Sequence, residues 1–214
     1  MTMRMRTSTA VFLTVAVIGA FAPISGLYPL FLMKCLAFAV FAVAFNYFTG
    51  YVGLLSIGHA AFFGVGAYIA GYAAKEWGFT PELALSMAMV TGMLLGVVMG
   101  GIAIRRKGIY FAMITLALAQ MVYFACVQAP FTGAERIPRN SLFGFIDLSD
   151  DRVMYAFLLV VLLVVVWGVQ RLMEAPYGQV LLAIRDNEPR AISLGYDVQS
   201  YKLSAFVIAA AYAG

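Results

Sequence analysis

Charge is what this 214-residue sequence has least of. Only 11% of its residues are charged, against about a quarter in ordinary soluble domains, while 64% are hydrophobic and the mean hydropathy is +0.93. Its 14 basic and 10 acidic side chains cannot clothe a water-facing surface of this size. That excludes an ordinary soluble enzyme and a disordered chain. Cysteine is equally scarce. Cys35 and Cys126 stand far apart, which excludes a disulfide scaffold, a metal-binding cysteine pair and a redox motif. Histidine occurs once, at His59. Catalytic signatures are missing too: no Gly-x4-Gly-Lys-Ser/Thr phosphate loop, no His-Glu-x-x-His, no Gly-x-Ser-x-Gly elbow and no paired intramembrane aspartates. We expect a chain that is not an enzyme and binds no metal and no cofactor of its own.

The net charge of +4 and pI near 9.1 would suit a nucleic-acid binder. The longest basic run is only Arg105-Arg106-Lys107, however, so the excess is better read as a topology signal, with lipid and not nucleic acid as the partner. What the sequence has in quantity is long apolar runs. Six are long enough to cross a bilayer, at about 10–28, 31–49, 53–74, 83–104, 109–129 and 153–172. A seventh begins near Leu203 and is cut off at Gly214. The fold class expected is an all-α polytopic membrane helix bundle. It is one transmembrane domain over 1–214, truncated in its seventh helix. Arg4, Arg6 and Ala20-Phe21-Ala22 mimic a secretory signal, but Pro23 is unfavourable for cleavage, so the first run reads as a retained span.

Alternating spans from a cytoplasmic N-terminus put Arg4, Arg6, Arg105, Arg106, Lys107, Arg171, Arg185, Arg190 and Lys202 inside. Lys34, Lys75, Arg136, Arg139 and Arg152 fall outside. Two connections are long. The outer one, 130–152, carries the turn residues Thr132, Gly133, Pro138 and Gly144. The inner one, 174–202, has apolar Val180, Leu181 and Ile184 at helical spacing, and then a capped helix. Asn187 suits the N-cap, Glu188 and Pro189 suit the first turn, and Gly195 suits the position just past the end.

Small residues recur every four positions at Ser56, Ala60 and Gly64, and again at Gly92, Gly96 and Gly100. Such stripes let membrane helices pack backbone to backbone. A glycine-rich span can instead be broken beside a pathway, and the third run allows either reading. His59 is read as structural, with a proton relay as the alternative. Asn46, Thr115, Gln120 and Gln128 are the other intramembrane polar residues, read as glue between helices. Asn46, Ser56 and His59 are the candidates for a substrate path.

Several stretches resemble the LivM-type permease subunits of branched-chain amino acid ABC importers. Asn46–Gly50 with Gly53–Tyr68 is similar to the family's third-span motif, and Arg106–Ala117 to its next hallmark. Phe131-Thr132-Gly133, Ile137-Pro138 and Leu142-Phe143-Gly144 resemble its external loop, although Ala134-Glu135-Arg136 replaces a usual second glycine. Tyr177-Gly178, Ala183–Glu188, Arg190-Ala191, Ser193–Gly195 and Tyr201–Leu203 resemble its cytoplasmic coupling loop. The resemblance implies a bacterial inner-membrane permease paired with a homologous permease. Two ATPase subunits that bind the ATP and a periplasmic binding protein complete the importer. It assigns ATPase coupling to Gly178, Arg185, Asn187, Glu188, Ala191 and Gly195. Cargo would be a branched-chain or related hydrophobic amino acid. Relatives carrying urea or short amides, and an ion-coupled transporter using His59, are the alternatives.

Overall fold

Proline opens three of the helices, and left-handed glycines follow the ends of three, as the rigid φ of the first and the freedom of the second dictate. The protein is described from a computed structural model that defines residues 28–128 and 150–214, with Phe12, Thr14 and Gly19. Eight helices are described: α1 Pro29–Val52, α2 His59–Glu76, α3 Pro81–Ala103, α4 Ile109–Gln128, α5 Asp151–Glu174, α6 Pro176–Asp186, α7 Glu188–Ser193 and α8 Val198–Ala213. No strand occurs among the described residues. The chain is an all-helical, multi-pass membrane protein. Helices α1, α3, α4 and α5 are each long and apolar enough to cross a bilayer. Most of the first expected span, and the turn residues of the 130–152 connection, lie outside the described residues.

The centre of the bundle is α8, an alanine-rich helix whose Ala205, Phe206, Ala209, Ala210 and Ala213 are buried. It lies antiparallel along α3, and the glycine stripe of α3 is what admits it. A Cβ on Gly92 would sit 2.6 Å from the Ala210 carbonyl oxygen, and one on Gly96 2.8 Å from the Ala210 methyl. One on Gly100 would collide with Leu203 and Phe206. This stripe is therefore a packing seam, gaining dispersion contacts that lipid cannot offer. The Ser56, Ala60 and Gly64 stripe differs. Ala60 is exposed and nothing described approaches Gly64; in α2 it is Gly66 that meets the backbone of Gly214.

A second cluster joins the first half of α1 (Leu32, Met33, Leu36) to Tyr155, Leu162 and Val166 of α5, while the second half of α1 (Ala44, Tyr47, Phe48) shares the main cluster with Val169 and Met173, so these two helices run parallel. Large apolar side chains such as Leu94, Val98, Val164 and Trp167 point outward and are more than half exposed. In water each would be costly, whereas in lipid it is in its own solvent. Cys35 and Cys126 are both free thiols.

The third apolar run corrects the sequence reading. The expected helix over 53–74 is broken: α1 continues to Val52, residues 53–58 leave the helix, and α2 starts only at His59. Over 53–58 burial alternates, Leu54, Ser56 and Gly58 inward and Leu55 and Ile57 outward, through a non-helical stretch at 53–56 and a turn at 57–58. Apolar composition is the same in either conformation, so hydropathy alone merged the two.

Candidate functional site

Two features stand out, the helix break and the 174–202 connection, and they meet at one end of the bundle. The break begins at Gly53, whose φ of 76° ends α1 in the left-handed region. The chain then climbs inward. Gly58 lies so close to Thr115 that a Cβ would strike the Thr115 carbonyl. His59, opening α2, stacks against Phe48 (ring centroids 5.4 Å) and meets Phe45, Phe62 and Phe206 edge-on. Phe206 is eight residues into α8, so α2 starts about 12 Å in from that end of the bundle. Irregular backbone at such depth survives only when protein covers it, as the inward residues here are covered.

Ser56 and His59 are both buried, and neither Ser56 Oγ nor either ring nitrogen of His59 finds a hydrogen-bond partner among the described residues. Unpaired buried polar groups are uncommon and costly. Asn46 does not join them, being exposed on another face of α1. The polar residues read as interhelical glue behave otherwise: Thr115 bonds the Ala112 carbonyl of its own helix at 2.9 Å, and Gln120 and Gln128 are exposed.

The 174–202 connection folds as a small unit with a core of its own, Ile184, Ala191 and Val198. Asn187 caps α7, its Oδ1 accepting from the Arg190 amide at 3.0 Å. The far end closes with two bonds, Gly195 N–H to Ile192 O at 2.9 Å and Tyr196 N–H to Ala191 O at 3.2 Å, and Gly195 has φ 87°. This is the Schellman arrangement, which needs glycine at the left-handed position. Asp197 then caps α8, accepting from the amide and hydroxyl of Ser200, which holds its carboxyl below the usual range. Sequence reasoning missed that cap, although Asp followed by Ser three residues on was legible.

Glu188 bridges the unit to the bundle. Its Oε1 accepts from Lys202 Nζ at 3.0 Å and Lys107 Nζ at 3.1 Å. Burial works against ionisation of this carboxyl, but hydrogen bonds from the two ammonium groups outweigh it and hold its pKa below the ordinary value. Lys202, buried, thereby has its charge paired. Of the remaining expected coupling residues, Gly178 is buried against α5, where a Cβ would lie 2.5 Å from the Met173 carbonyl oxygen. Ala191 is buried in the unit's core, and Arg185 turns to α1. The outward face belongs to Ile192, Leu194 and Tyr196, which are 55%, 68% and 41% exposed. Their apolar character beside a capped helix was the signal for them.

Compared with known families, residues 29–214 match the branched-chain amino acid transport system permease component. The chain belongs to that family. Two curated relatives of this permease-family chain are the high-affinity branched-chain amino acid transport system permease proteins LivM of Escherichia coli strain K12 and of Salmonella typhimurium strain LT2. Each is 28% identical to it, over 83% of this chain and 48% of the relative. The chain thus spans about half the length of the curated relatives it matches. No solved structure matches it significantly.

Proposed function

We propose that this permease-family chain is part of the membrane-spanning subunit of an ATP-driven ABC importer for branched-chain or related hydrophobic amino acids. It sits in a bacterial inner membrane with its N-terminus cytoplasmic. A homologous permease, two ATPase subunits and a periplasmic binding protein complete the assembly, and ATP is bound by the partners. The 174–202 unit is the coupling element. The observation that carries this reading is a self-supported, doubly capped helix whose outward face is apolar: Ile192 and Leu194 stay more than half exposed among the described residues, and Tyr196, edge-on to Tyr201, stays exposed beside them. A groove on an ATPase would bury them, each large side chain contributing about 1.5–3 kcal/mol when removed from water. Gly178, Asn187, Glu188, Ala191 and Gly195 serve the same task from inside, by shaping and anchoring the element. Ser56 and His59, at the broken helix, border the substrate path.

The test is co-purification of the full-length permease with its ATPase, with substrate-stimulated ATP hydrolysis measured in membranes. Leu194→Asp combined with Ile192→Asp should abolish both while membrane insertion persists. Asn187→Ala, which loses a cap worth about 1 kcal/mol, should weaken them mildly. Normal assembly and hydrolysis in the double variant would make the unit a mere connector.

A further inference from the structure

Arg185 lies in the last turn of α6 and turns away from the outward face of its own unit. Its Nη1 donates to the Gly50 carbonyl of α1 at 2.6 Å, across 135 residues of sequence. That carbonyl is one of the four that a helix end leaves without an internal partner. The last turn of α1 holds no basic residue of its own to meet the negative end of the helix dipole, so Arg185 supplies both donor and charge from outside. The aliphatic stem is engaged as well. Gly53 is the residue that ends α1, and a Cβ there would lie 2.6 Å from Arg185 Cγ. The stop of α1 is therefore shaped around this one side chain.

The two sides of the contact are held differently. On one side, Leu181 and Ile184 are buried, and the unit is tied by its core, its caps and the Glu188 bridge. On the other, the chain leaves Gly53 without helical hydrogen bonds and reaches Ser56 in three residues and His59 in six. A rigid element is joined to a pliable one through Arg185.

We propose that Arg185 is a positioning residue: it fastens the 174–202 unit to the C-terminal end of α1, so that movement of the unit is delivered to residues 53–58 and the head of α2. This rests on the coupling role proposed above and says where the motion goes. Arg185 acts inward, by pulling on α1, and does not serve as an ATPase contact. Its neighbour Asp186 lies 3.6 Å from Nε, an exposed ion pair.

The experiment uses the full-length permease assembled with its partner subunits in lipid nanodiscs. It reads amide hydrogen exchange over 50–58 and the substrate moved per ATP hydrolysed. Loss of a charge-assisted hydrogen bond should speed exchange there by about tenfold. Arg185→Ala should therefore accelerate exchange at 50–58 while leaving 187–196 protected. It should cut transport more than hydrolysis, so that substrate moved per ATP falls. Arg185→Lys keeps a cationic donor and should restore both in part. Unchanged exchange overturns the proposal. So does faster exchange with an unchanged transport ratio, which would make the contact a helix cap only. Failure of both variants to assemble also overturns it, by placing Arg185 at the partner's surface. A wild-type complex that hydrolyses no ATP for transport would instead sink the importer reading, and exchange at 50–58 would still decide whether Arg185 holds α1.

Discussion

His59 is enclosed by the rings of Phe45, Phe48, Phe62 and Phe206, and its nitrogens find no partner among the described residues. These rings offer no carboxylate to hold a proton and no acceptor to relay one. His59→Gln should therefore leave the pH profile of transport by the full-length complex unchanged, measured as uptake rate between pH 5 and 8, the range in which imidazole usually titrates. A titration step that disappears with the substitution would favour a proton-coupled carrier. At this scale the sequence was legible where a local rule applied. Asn187 and Gly195 occupy the cap positions their chemistry predicts, because capping depends on neighbours within four residues. The direction of Arg185 was not legible, because it is decided by a distant partner, Gly50 on α1; Gly178 and Ala191 meet partners nearer in sequence, Met173 on α5 and Val198 on α8, across helix boundaries that a local rule does not place.

Among elements, hydropathy located the long helices to within a few residues but could not separate helix from the non-helical stretch at 53–58. The alternation of burial that distinguishes them exists only once α4 and α8 are packed alongside. The 174–202 element makes its own testable claim through Glu188. A carboxyl whose pKa is lowered by folding contributes stability that is present above its unfolded value and lost as pH falls through the folded one. The unit should accordingly hold constant amide protection through the neutral range and loosen only below the ordinary carboxylate range. Glu188→Gln, which cannot ionise, should show the loosened state at neutral pH, with faster exchange at 187–196 than the wild type. Equal protection in both would mean that the core of Ile184, Ala191 and Val198 holds the unit without the Glu188 bridge.

Across the whole molecule, the packing sorts the connections into two ends. Glu188 ties Lys107 and Lys202 together, and Arg185 reaches the end of α1, so the 105–108 turn, the 174–202 unit and the Gly53 stop share one end. Parallel α1 and α5 and antiparallel α3 and α8 then put Glu76–Pro81 and Asp151 at the other. That gathers Arg105, Arg106, Lys107, Arg185, Arg190 and Lys202 on one side, in the pattern basic residues follow at a cytoplasmic face. The central claim is that movement at this end, powered by ATP on a partner, opens a route through the bundle. It is tested most directly by reconstituting the full-length permease with its partner subunits in proteoliposomes and measuring leucine accumulation with ATP supplied on the ATPase side. The account predicts accumulation that requires ATP and the binding protein and survives collapse of proton and sodium gradients. Accumulation that follows an ion gradient and ignores ATP would contradict it.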